Sequence, residues 1–347
     1  MSPPALLGYD PPMTLTTRQR LEELLEAFAS QRIAIIGDLA LDAFVQGRTS
    51  RISREAPVLI LRHEETLERP GCAGNAARNV ASLGGRACGV GVLGDDDVGK
   101  RLRARLHESA IDTHGVVEVS QGRTWSKTRF LAGDLHTVLQ QVMRLDREPD
   151  YPHPELWRPR LHAAIDAALD DATAVLLCDY GGGVLQAPTR DHVLEGARER
   201  KLPVVADSRY ALHEFVGITC ATPNETEIEP LVGRKLDSRA ALEEAGVELR
   251  RRLEARALIV TRGKLGMSVF TNAATRHLPA YGGDAVDVAG AGDTVAATVC
   301  LALAAGAEVE DAARLANYAA SRVVLERGTA VTDPDAVRRC LADDASL

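Results

Sequence analysis

From Leu156 onward the chain alternates between amphipathic stretches and short apolar runs: a helix to about Leu169, a strand at Ala174–Cys178, a helix at Arg190–Arg198, a strand at Pro203–Ala206, and further units of the same kind. Strands joined by helical crossovers run parallel, and right-handed crossovers place helices on both faces of one sheet. The rhythm therefore predicts an α/β fold, a doubly wound, mostly parallel sheet whose ligands bind beyond the carboxyl ends of the strands. An earlier unit fits the same sheet: Arg32–Gly37 is a buried apolar run ending at Gly37 and Asp38, preceded by an amphipathic helix near Thr17–Ser30. No linker composition interrupts the remainder. The expected organisation is an N-terminal tail and helix over 1–30, with a Pro-containing tail to about residue 16, and one main domain over 31–341. Two stretches break the rhythm. Val58–His63 reads as a strand after the irregular, basic TSRISREAPV, and Thr124–Asp146 is strand-rich, so a small sheet outside the main one is expected from about 43–69 and 115–147.

The stretch Gly282–Ala304, GGDAVDVAGAGDTVAATVCLALA, is a loop feeding a helix that is apolar or small for about three turns. At a helix start the N–H groups of Gly290, Ala291 and Gly292 lack intrahelical acceptors, and small side chains let an oxyanion approach. Asp293 stands beside them in the first turn, placed to take a proton from a hydroxyl attacking phosphorus. The plainer alternative is a buried Ala-rich helix whose Asp complements the macrodipole.

DVAGAGDT, with Asp287 six residues before Asp293, resembles the C-terminal signature of the ribokinase, or PfkB-type, carbohydrate kinases. The resemblance implies a ribokinase-like fold in which the small sheet is a lid that covers the sugar and makes a homodimer contact. It also implies Asp293 as catalytic base with Gly290, Ala291 and Gly292 as anion hole. Other segments follow in the family's order. Pro70–Asn79 resembles its GG…N signature, with Gly71 and Asn75 toward the sugar, although Cys72 stands where a second Gly is usual. Asp38 and Asp42, after the first strand, would bind sugar hydroxyls. Asn224 and Glu227 of TPNETE match the NxxE motif that places Mg²⁺ and its waters; read without the resemblance, the pair is an Asn cap with a Glu at the third helical position. Thr261, Gly263 and Gly266 would border ATP. Asp287 and the loop at Gly328–Thr329 resemble the edges of a K⁺ site. Asp179–Gly183 resembles DYxKG, but Gly182 stands where a Lys is often found.

Within the family, TSRISREAPV, ERPG, SKTR and QQVMRLD most resemble the kinases of D-glycero-D-manno-heptose 7-phosphate, which phosphorylate the anomeric hydroxyl to give the 1,7-bisphosphate in lipopolysaccharide precursor synthesis. On that reading Arg51, Lys127 and Arg129, with Arg48, meet the sugar's phosphate; Lys127 and Arg129 alternate along one strand and share a face. The chain ends at Leu347, which leaves no room for the nucleotidyltransferase domain fused to many such kinases. Two other readings remain open: a family kinase of another sugar, sugar phosphate or nucleoside, and a non-catalytic sensor on the same fold.

A formal charge of −8 argues against nucleic-acid and anionic-membrane partners, and no apolar run approaches the roughly 20 residues of a bilayer span. The N-terminus lacks the basic start and apolar core of a signal peptide, so a cytoplasmic protein is expected. The six cysteines form no CxxC pair and read as reduced, buried thiols, and the nine histidines show no zinc-ligand spacing. Three motifs are set aside. Gly89–Gly94 satisfies GxGxxG inside a strand, but three carboxylates follow it. Gly122–Thr128 lacks the second Gly of a Walker loop. Asn224–Thr226 is a glycosylation sequon by pattern only.

Overall fold

A computed structural model describes residues 15–133 and 139–346; most of the expected tail, and residues 134–138 of the second strand-rich patch, lie outside them. In chain order the elements are α1 (Thr17–Ala27), β1 (Arg32–Gly37), β2 (Leu39–Ile52), β3 (Leu59–Cys72), α2 (Ala73–Ser82), β4 (Arg86–Gly94), α3 (Asp97–Glu108), β5 (Asp112–Val119), β6 (Trp125–Gly133) and β7 (Gln140–Arg147). There follow α4 (Pro154–Asp170), β8 (Ala174–Asp179), α5 (Ala187–Glu199), β9 (Val204–Ser208), β10 (Cys220–Ala221), α6 (Glu225–Val232), α7 (Arg239–Arg252), β11 (Ala257–Thr261), β12 (Met267–Thr271), β13 (Thr275–Leu278), α8 (Ala291–Ala304), α9 (Val309–Val323) and α10 (Pro334–Asp343).

Nine strands form the main sheet in the order β13-β12-β11-β10-β9-β8-β1-β4-β5. All its pairings are parallel except β11 with β12 and β12 with β13. Side chains of a strand alternate between faces, and each face is apolar. Ile33, Ile35, Leu176 and Cys178 enter the core shared with α1, α2, α8, α9 and α10. Ala34, Ile36, Val175 and Leu177 enter the one shared with α4, α5, α6 and α7. From β1 the chain builds outward to β4 and β5, then returns to lay β8 on the other side of β1. The β1/β8 junction is thus the switch point, where a crevice opens beyond the strand ends.

The second sheet has four strands, β3-β2-β6-β7. Its two long members exceed what the sequence pattern marked. β2 runs through TSRI as a regular strand with bulges opposite β3, and β3 continues through Pro70–Gly71–Cys72 to the start of α2. Pairing with a neighbour satisfied a backbone whose side chains carry no alternation there. All eight residues of β7 are exposed, among them the apolar Val142, Met143 and Leu145. All six cysteines are free and buried, as expected. Among the described residues no helix is long and apolar enough to cross a membrane.

Candidate active site

A cavity of about 390 Å³ lies beyond the carboxyl ends of β8, β9, β10 and β11, roofed by the four-stranded sheet. Its floor is the start of α8. Gly290 caps that helix at φ +82°, a left-handed conformation that favours glycine, and a Cβ there would stand 2.8 Å from Asn75 Nδ2. Of the three expected donors, Ala291 is the exception: its N–H donates to Val288 O at 3.2 Å, and it does not line the cavity. Gly290 and Gly292 do line it, and Asp293 extends the row of N–H groups that a helix start leaves without acceptors.

Asp293 is held from both sides. Asn75 Nδ2 donates to Oδ2 at 2.6 Å, and the Tyr180 hydroxyl donates to Oδ1. Burial pushes its carboxyl up to about 6, against the lowering effect of those two donors. Such a group is a carboxylate at neutral pH and still basic enough to accept a proton. Asn75 therefore orients the base rather than a sugar hydroxyl. Its Oδ1 accepts from Arg78, and its neighbour Asn79 accepts from Thr294, so a buried polar seam joins α2 to α8.

The other expected contacts separate into two groups. Asp42, Lys127 and Arg129 line the cavity with Asn224, Glu227 and Thr261. Arg129 Nη1 donates to Asp42 Oδ1 at 2.6 Å, and Gly71 is required beside them because a Cβ would meet Asp42 at 2.5 Å. Lys127 is buried: its ammonium lies 2.8 Å from Cys72 Sγ, 4.1 Å from the Trp125 ring centre and 5.4 Å from that of Tyr180. It sits near the base, not at the far end of the cavity. Burial in turn pushes the Cys72 thiol up to about 12, so Lys127 faces a neutral sulfur. Gly182 could not carry a Lys in this arrangement, since its Cβ would lie 2.8 Å from Asp38 and 3.0 Å from Trp125.

Asp38, Arg51, Gly263 and Gly266 are not brought to the cavity. The Asp38 carboxylate accepts from the N–H groups of Tyr180, Gly182 and Val184 at 2.8, 2.9 and 3.2 Å, so it fastens the loop after β8. Arg51 is exposed on the outer half of β2, and Arg48 pairs with Glu64 there. Gly263 and Gly266 form the turn after β11, where a Cβ on Gly266 would strike Leu278 O. Among the cavity residues to which the sequence assigns no role are Tyr180, Arg144 and Arg209. Tyr180 and Arg209 follow strand ends, the one signal available; Arg144 is brought in only by its pairing with Arg129 across β6 and β7.

Asn224 and Glu227 form a capping box: Asn224 Oδ1 accepts from Glu227 N, and Glu227 Oε2 from Asn224 N, each at 2.9 Å. The cap and the cavity role coexist, because both residues also face the cavity. Burial raises Glu227, and it raises Asp207 more strongly, with the charges of Asp293 and Glu227 adding to the effect. Crowded carboxylates of this kind fit a dication. Among the described residues no cluster of three or more His, Cys, Asp or Glu is arranged as a metal cage, and Mg²⁺ held through waters and phosphates needs none. The K⁺ site fits less well. Asp287 accepts from the N–H groups of Ala289 and Gly328, and the Thr329 carbonyl already accepts from Arg69 and Arg78 at 3.1 Å each. Two guanidinium groups thus occupy a carbonyl at the edge of the expected cation site.

The model of the pfkB family carbohydrate kinases matches residues 30–336. A curated relative named "Bifunctional protein HldE" from Caulobacter sp. (strain K31) is 40% identical over 319 residues, covering 91% of this chain and 64% of the relative. Another of that name, from Granulibacter bethesdensis, is 37% identical over 326 residues, covering 92% and 66%. The chain thus spans slightly less than two thirds of those proteins. Among solved structures, a putative ribokinase from Agrobacterium tumefaciens superposes with a TM-score of 0.70 at 24% identity, covering 90% of this chain and 97% of that one. Phosphofructokinase-2 from Escherichia coli in complex with fructose-6-phosphate gives 0.74 at 18% identity, covering 90% and 98%. These likenesses establish a ribokinase-like fold.

Proposed function

The chain belongs to the pfkB family of carbohydrate kinases, and on that premise we propose that it transfers the γ-phosphoryl group of ATP to the anomeric hydroxyl of D-glycero-β-D-manno-heptose 7-phosphate. The observation that carries the reading is one cavity holding a desolvated base, Asp293, under a sheet that contributes the cations Lys127, Arg129 and Arg144. A protein of net charge −8 that captures a doubly charged sugar phosphate needs such local cations. The strings TSRISREAPV, ERPG, SKTR and QQVMRLD, which resemble the heptose kinases, contribute to all four strands of that sheet.

Asp293 accepts the proton of the attacking hydroxyl while the new O–P bond forms and the bond to the ADP oxygen breaks. Asn75 and Tyr180 hold the carboxylate in place for that transfer. The amides of Gly290 and Gly292, at the positive end of α8, face the charge that develops on the phosphoryl oxygens. Asn224 and Glu227 would hold Mg²⁺ through its waters; the ion supplies charge neutralisation on the nucleotide phosphates. Asp42, fixed by Arg129, is placed to accept from a sugar hydroxyl. The four-stranded sheet serves as the lid, and its exposed apolar strand β7 as a homodimer contact. Replacing Leu145 with Glu should then yield a monomer on gel filtration; an unchanged elution volume would remove that contact.

The decisive experiment is a panel of sugars and sugar phosphates with coupled ADP detection. The reading expects the heptose 7-phosphate to have the highest kcat/KM and the unphosphorylated heptose to be much poorer. Equal use of the two sugars would leave a family kinase of a different acceptor.

A further inference from the structure

A second cavity lies at the opposite end of the main sheet, and we propose that it binds a phosphorylated small molecule of nucleotide size. It measures about 830 Å³, within the range of ligand pockets, and opens beside the amino ends of β9 and β10 where α5 and α7 finish. Five cations converge there, Arg198, Lys201, Arg250, Arg251 and Arg256, against the single carboxylate of Glu254.

Cations at helix carboxyl ends complement the macrodipole, which accounts for Arg198, Arg250 and Arg251 individually. It does not account for Lys201 and Arg256, which lie outside the helices, nor for the pairing pattern. Asp and Glu outnumber Lys and Arg by 49 to 41 in this chain. Yet among the described residues only Arg256 of the five has an acidic partner, Glu308 at 3.1 Å. Arg250 adds an independent observation. It is 7% exposed, its Nη1 donates to Ala255 O at 3.0 Å, and its buried Nε has no hydrogen-bond partner among the described residues. A buried guanidinium edge without an acceptor is costly, and an oxyanion supplies two acceptors at once. Leu202, Pro203 and Ile218 give the cleft an apolar wall. Cationic rim and apolar wall together suit a ligand with phosphate at one end and a flat apolar body at the other.

The cleft is separate from the catalytic cavity, so its test does not depend on the acceptor sugar. Inorganic tripolyphosphate is titrated calorimetrically into the full chain in Mg²⁺-free buffer. One binding component should weaken at least about tenfold in Arg198→Ala/Arg251→Ala, which removes two charge-assisted contacts. The same component should survive in Lys127→Ala/Arg144→Ala, which strips cations from the catalytic cavity. Lys201→Glu, a change at an exposed residue, should weaken it in the same direction. Adenosine 5′-monophosphate and a hexose 6-phosphate then distinguish a nucleotide from a sugar phosphate as occupant. Binding that is unaffected by both the double variant and Lys201→Glu, or that disappears with the catalytic-cavity variant alone, overturns the site.

Discussion

The two sheets that enclose the catalytic cavity are built on different principles. The floor belongs to the main sheet and its helices, where Asn75, Asn79, Asp293 and Thr294 are buried and joined by side-chain hydrogen bonds between α2 and α8. The roof is a sheet whose strand β7 is exposed throughout and whose Arg129 and Arg144 stand opposite each other on neighbouring strands. A polar seam that is fully satisfied in a buried setting tolerates little change. An exposed strand tolerates much. On the proposed function, the chemistry sits on the floor and the choice of acceptor on the roof.

The strongest way to break this contrast is at the base. Asp293→Asn should lower kcat by about a thousandfold with little change in ATP affinity, as expected for loss of general-base catalysis. A variant with near-normal turnover would detach the floor from the chemistry. On the roof, Arg129→Ala should raise KM for the sugar phosphate roughly tenfold, and Arg144→Ala, whose partner Asp146 and partial exposure weaken its contribution, roughly three- to tenfold. KM for ATP should stay the same in both. If kcat falls instead while KM holds, the roof takes part in the chemistry and the division fails.

A pH profile sharpens the contrast further. Because burial raises the Asp293 carboxyl to about 6, and the base must be ionised, kcat/KM should fall as pH drops through about 6. The Tyr180 hydroxyl lowers that value by donating to the carboxylate, so Tyr180→Phe should move the acid limb to higher pH. An acid limb that stays in place would show that this contact does not stabilise the ionised base. The smallest effect concerns salt. With Arg69 and Arg78 on the Thr329 carbonyl, rates in K⁺ and in a bulky organic cation at equal ionic strength should agree within about a factor of two. Strong activation by K⁺ would mean that the guanidinium groups move aside.

The same contrast governs how far the sequence could be read. Elements of the floor announced themselves by period and length: the apolar runs at Arg32–Gly37 and Ala174–Asp179 are strands, and the small-residue run from Ala291 is a helix buried along most of its length. The roof was harder. β2 and β3 owe their length to pairing with each other, a non-local cause that leaves no alternation in TSRISREAPV. Within the site, Asp293 and Asn224 stand where loop chemistry points, but the duties of Asp38 and Asn75 depend on distant partners. Asp38 is held by amides some 140 residues further along the chain, and Asn75 by a carboxylate 218 residues away. Ala291 differs from its neighbours for a smaller reason: a single turn at Val288 takes up its N–H. Residues whose partners arrive from elsewhere in the chain cannot be assigned from their neighbours.

β2 has a mechanical consequence as well. It is one strand of 14 residues from Leu39 to Ile52, rooted beside β1 and paired with β3 out to its tip. At about 3.3 Å per residue its tip stands roughly 40 Å from the root, whereas Asp42 is only about 10 Å from it. The strand is thus a lever with Asp42 near the fulcrum. A tilt of about 10° sweeps Ile52 through about 7 Å but shifts Asp42 by less than about 2 Å. On the proposed function, a swing of the roof that admits a sugar would therefore hardly move the carboxylate that meets it.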